Sequence, residues 1–298
     1  MLNKAKILGL ALTLVSTNAM AITITTSDDA NALARSIIGS GITISDAIYS
    51  GAAKQSGLFT GDDVFGLGSG IVMTTGSAET AADTENNHRY IGIDSDGDDT
   101  KNLSGDADLT AMLVNTESTN AAVLEFDFFS KTGDLFFNFV FASEEYNEYI
   151  RGDFNDVFAF FVDSTNMNRV NIAQAPDGQI VSARTINCGR PLGTTGPNCD
   201  SYNSNDIHDG GASFHTEYNG FTNVLTASVR ELAVGETHHI KIAIADGYDH
   251  AFDSAVFIQG NSFTDTDPKA VPEPGTLALL GLGLLGIVAG RRKKLGSV

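Results

Sequence analysis

The chain reads Leu135-Phe-Phe-Asn-Phe-Val-Phe141, then Ala-Ser-Glu-Glu-Tyr-Asn-Glu-Tyr149. In the first seven residues Leu135, Phe137, Phe139 and Phe141 alternate with Phe136, Asn138 and Val140. That period of two predicts a β-strand. The strand runs into an acidic segment. A second β-branched and aromatic run, Val157–Val162, follows it.

The same signals recur outward from this stretch. Ile240, Ile242 and Ile244 alternate with Lys241 and Ala243. Val123–Phe129, Val224–Val229 and Ser254–Ile258 are short apolar runs bounded by turn residues. Ile42 and Ile44 alternate with Thr43 and Ser45, a signal that stops at Asp46. One helix is expected, because Ala30, Leu33, Ala34, Ile37 and Ile38 fall on a single face. Asp28 or Asp29 can cap its start, and Gly39 or Gly41 its end. Many short strands with one helix predict an all-β chain, an antiparallel β-sandwich of jelly-roll-like topology. Eighteen Phe and no Trp suit a core of interdigitated rings between two sheets.

Composition excludes some partners. The 298 residues carry a formal charge of −19. Six of the 18 basic residues and one of the 37 acidic ones lie near the two termini, which leaves the body at −24. Such a body repels nucleic acid and anionic lipid. It suits an extracellular protein, and the charge serves either solubility or divalent cations. Cys188 and Cys199 lie in a segment rich in Gly, Pro, Asn and Thr. In an oxidising compartment a disulfide is the default, with a two-Cys metal site or free thiols as alternatives.

Two acidic segments stand at strand ends. Glu144, Glu145, Glu148, Asp153 and Asp156 put five carboxylates in 13 residues. Asp246 ends one predicted strand and Asp253 begins the next. Calcium takes six to eight oxygen ligands, and loops at strand ends supply them from close positions. The two loops are therefore expected to meet around one calcium ion, with Asn155 as a further oxygen donor. The competing reading is that these acids cap turns. Asp94, Asp96 and Asp98 alternate as in an EF-hand, but Asp99 stands where glycine is required and Gly105 where the bidentate glutamate belongs. They form either a weaker surface calcium site or a solvated acidic turn. Catalytic motifs of the Gly-x-Ser-x-Gly, HExxH and P-loop types are absent, so no catalytic residue is assigned. Adjacent Glu144 and Glu145 would point to opposite faces of a strand, which disfavours a glycosidase pair.

The stretches FASEEYNEY (141–149), FNDVFAFFV (154–162) and IADGYDHAFDSAVFI (244–258) resemble the bacterial choice-of-anchor L domain. So do Gly57-Leu-Phe-Thr-Gly61, Gly70-Ile-Val-Met-Thr-Thr-Gly76 and Gly105-Asp-Ala-Asp-Leu109, in the expected order. The resemblance covers residues 28–263. It implies a surface or secreted ectodomain joined to one of several kinds of anchor, with no established enzymatic activity.

Both ends of the chain agree with export. Lys4 and Lys6, the apolar Ile7 to Val15 and the Ala19-Met20-Ala21 cleavage signature predict a signal peptide over 1–21. The ectodomain is expected over 22–265 and a linker over 266–271. Over 272–298, Pro272-Glu273-Pro274 precedes an apolar run, Thr276 to Gly290, and a basic end, Arg291, Arg292, Lys293 and Lys294. The apolar run spans about 23 Å as a helix, short of a hydrocarbon core of about 30 Å. Snorkelling Arg and Lys extend its reach. This tail resembles a PEP-CTERM sorting signal, which implies exosortase and the secretion machinery as partners and membrane contact through the tail. The expected function is that of an exported, non-catalytic surface or matrix protein that contacts exopolysaccharide or other cells. A secreted carbohydrate-active hydrolase is the alternative.

Overall fold

A computed structural model of the chain describes residues 22–269, apart from 62–63, 83–102, 153–154, 194, 207–209, 213 and 249. The predicted signal peptide, the predicted C-terminal sorting segment and hydrophobic helix, and Asp94, Asp96, Asp98 and Asp153 lie outside the described residues. Among the described residues no helix is long and apolar enough to cross a membrane.

Thirteen strands are described: β1 (Thr23–Thr26), β2 (Ile42–Ser50), β3 (Ser56–Thr60), β4 (Ser69–Thr74), β5 (Ser118–Ser130), β6 (Leu135–Ser143), β7 (Val157–Ser164), β8 (Met167–Asn171), β9 (Tyr202–Ser204), β10 (Gly220–Thr222), β11 (Leu225–Val229), β12 (His238–Gly247) and β13 (Ser254–Gln259). Helix α1 (Ala30–Ile37) carries the expected apolar face, and a one-turn helix, α2, spans Ala107–Thr110. The Asp29 carboxylate caps α1 by accepting the N–H groups of Asn31 and Ala32.

The strands form two antiparallel sheets. One has the order β1-β3-β4-β13-β6-β10-β9, with β11 also on β6. The other has the order β2-β5-β12-β7-β8. The last two long strands insert between earlier ones, β13 between β4 and β6 and β12 between β5 and β7. This is the jelly-roll-like crossover expected of the sandwich.

The predicted face of β6, Leu135, Phe137, Phe139 and Phe141, lies between the sheets. It meets Phe158 and Phe160 of β7. Phe160 contacts Phe137 and Phe139 edge-on at centroid distances of 4.9 and 5.0 Å. Each such pair adds about 0.5–1.5 kcal/mol to the stabilisation from burial. The other face of this sheet is also covered. Val140, Phe257, Phe65 and Phe221 form a second cluster there. A third cluster, of Val123, Ala159, Phe161 and Ala243 under Leu109, covers the outer face of the smaller sheet. Central strands buried on both faces read as apolar runs because neither face is left to solvent.

One strand is longer than its sequence signal. β2 continues through Asp46 to Ser50. Its pairing with β5 shifts between Ser45 and Ile48, and Asp46 takes a left-handed φ of 53°. This bulge breaks the alternation and leaves Ile48 62% exposed on an edge strand.

Candidate functional site

The two acidic loops lie at the same end of the sandwich. Ser143, the last residue of β6, pairs with Ser254, the first of β13. Val157 at the start of β7 pairs with Ala245 near the end of β12. Glu144 and Asp253 therefore arrive from one sheet, and Asp156 and Asp246 from the other. The Glu144 N–H donates to the Asp253 carbonyl at 3.1 Å, and the Gly247 N–H to Asp156 Oδ1 at 3.2 Å. All four acids are buried, Asp246 and Glu144 at 0% and 2% exposure.

Local sequence shapes this mouth. A Cβ at Gly76 would overlap the Asp253 carboxylate, and one at Gly247 would overlap the Asn155 carbonyl. Thr75 Oγ1 donates to Asp253 Oδ1 at 3.4 Å and accepts the Ser254 N–H at 3.1 Å. Asn120 Nδ2 donates to Asp246 Oδ2 at 2.7 Å and lies 3.4 Å from His250 Nδ1.

The carboxylates bear on one another's protonation. Burial pushes the Glu144 carboxyl well above the usual carboxylate range, and the charges of Glu217, Asp253 and Asp156 push it further. Burial also raises Asp246, with Asp156 and Asp253 adding to the effect, while the nearby Thr75 hydroxyl and the Asn120 amide oppose it.

Of the predicted ligands, four reach the same end of the sandwich. Glu144, Asp156, Asp246 and Asp253 come together. Glu145 is just as buried, but it is not among the charges that act most strongly on Glu144 or Asp246. Glu148 stands apart: it is partly exposed and pairs with Arg190 at 3.4 Å. Sequence reading missed Glu217. It enters from the segment before β10, which is tied down where Asn219 Nδ2 donates to the Glu144 carbonyl at 3.1 Å. Among the described residues no group of three or more His, Cys, Asp or Glu side chains is placed to hold a metal ion.

Away from the mouth, Cys188 and Cys199 form the expected disulfide, with Cα atoms 4.6 Å apart. Lys241, nearly buried on the outer face of the smaller sheet, donates to Asp106 and Asp108 at 2.6 and 2.7 Å.

Comparison with known proteins adds two matches. The PEP-CTERM protein-sorting motif matches residues 270–293, which marks the chain as an exosortase-sorted protein, exported and anchored at the cell surface. No curated protein and no solved structure matches. The Choice-of-anchor L domain model matches residues 21–264, the whole sandwich with its acidic mouth, and the chain belongs to that family.

Proposed function

We propose that the protein is a non-catalytic component of the cell surface or extracellular matrix, held through its sorting tail and turned toward exopolysaccharide or neighbouring cells. One observation carries this reading. The chain leaves the sandwich beside the start of β6, where Thr264 bridges to Phe136 and Arg230 pairs with Asp267 at 2.6 Å. The acidic mouth lies at the far end of the same strand. Nine residues of β-strand separate the two ends by about 30 Å. The anchored end and the acidic end are opposite poles, so the mouth and its loops point away from the attachment.

Burial supports a non-catalytic role. A glycosidase needs two carboxyl groups flanking a bound sugar. Here Glu144 and Asp246 are shielded from solvent by the loops around them. Clefts of about 350–380 Å³ lie elsewhere, the larger one lined by Ser50, Gly51, Gly105, Asp106 and Glu125.

Deleting Pro272–Val298, followed by cell fractionation and a biofilm assay, tests the reading. The truncated protein should appear in the medium, with weaker cell cohesion or matrix. Release of the protein with matrix and cohesion unchanged would refute an anchored surface role.

A further inference from the structure

The acidic mouth has an unbalanced set of polar atoms. Glu144 Oε2 and Asp246 Oδ1 are buried oxygens without a hydrogen-bond partner, on side chains more than nine-tenths buried. Asn155 Oδ1, beside Asp156, is a third. All three are acceptors, and the buried Ser254 hydroxyl beside Asp253 also lacks a partner. A buried acceptor without a donor is unfavourable, and a charged one more so. A cation can satisfy several such acceptors at once.

We infer that the mouth binds one hard divalent cation of the calcium class, with Glu144, Asp156, Asp246 and Asp253 as its carboxylate ligands. Glu217 and Asn155 Oδ1 complete the protein's share of the shell. The donors are all oxygens, which selects calcium or magnesium over zinc or copper. The carboxylates come from two sheets and an intervening loop, an irregular set. Calcium accepts such a set at six to eight oxygens, whereas magnesium demands a near-ideal octahedron. Loading draws the four strand-end carboxylates inward from their ion-free spacing and couples β6 and β13 to β7 and β12. The sandwich is thereby fastened at the pole farthest from the anchor. This inference does not depend on the sorting route, and its test uses none of the same readouts.

The test uses the full chain purified in mild detergent, stripped with EGTA and desalted. Calcium titration by calorimetry and metal analysis should give one equivalent per chain, a higher melting temperature and weaker binding of magnesium. Asp246→Asn should lower calcium affinity at least tenfold and keep a native circular dichroism spectrum in EGTA. Glu144→Gln serves the same purpose where Asp246→Asn does not fold. Changing Asp94, Asp96 and Asp98 together to Asn should leave the single equivalent in place. The inference is overturned by the absence of bound calcium at millimolar concentration. It is equally overturned if both mouth variants bind calcium as the parent does, or if the triple Asn variant alone loses it.

Discussion

Ion-free protein should become more stable as the pH falls from 7 toward 5. Burial and the surrounding carboxylates raise Glu144 and Asp246 above their ordinary values in the folded chain. Unfolding returns both to about 4. Between the ordinary and raised values the folded state holds up to two more protons than the unfolded state. Each extra proton lowers the unfolding free energy by about 1.4 kcal/mol per pH unit of increase. The contribution is fully present below about pH 4 and is lost as the pH rises through the folded values. At about 2–4 °C per kcal/mol for a chain of this size, each retained proton is worth roughly 3–5 °C per pH unit. Thermal melts in EGTA at pH 5, 6 and 7 measure it. The Glu144→Gln/Asp246→Asn double variant is the reference, because it keeps the charge of the other acids and lacks these two protons. Parallel melting curves for parent and double variant across that range would refute the argument that these carboxyls are raised by burial.

Two further outcomes follow from the same structure. Gly76→Ala should cost about 1–3 kcal/mol, because its methyl group occupies the space of the Asp253 carboxylate, and urea denaturation would register the loss. The Cys188→Ser/Cys199→Ser variant should melt below the parent by the equivalent of about 3 kcal/mol, the entropic value for so short a loop, with reduced parent falling by the same amount.

The sandwich was legible where a residue's role depends on its own strand. Leu135 to Phe141 shows its core face by alternation, and Asp29 shows its cap by preceding the helix. β2 was legible only as far as Asp46, because a bulge is set by the partner strand and leaves no period to read. The acidic mouth divides in the same way. Glu144, Asp156, Asp246 and Asp253 each stand at the edge of an apolar run, so strand ends marked them, and antiparallel pairing then placed the ends together. Glu145 and Glu148 share that sequence neighbourhood, but density of acids along the chain does not specify direction. Glu148 turned outward to Arg190. Glu217 shows the converse. Nothing in Thr216-Glu-Tyr-Asn219 marks an acid bound for the interior. Its position comes from Asn205, whose side chain donates to the carbonyls of Thr216 and Tyr218 at 2.8 and 2.9 Å, and from Asn219, which reaches the Glu144 carbonyl. Two amides outside the acidic motifs thus bring Glu217 near Glu144. Their buried charge needs protons or a cation to balance it.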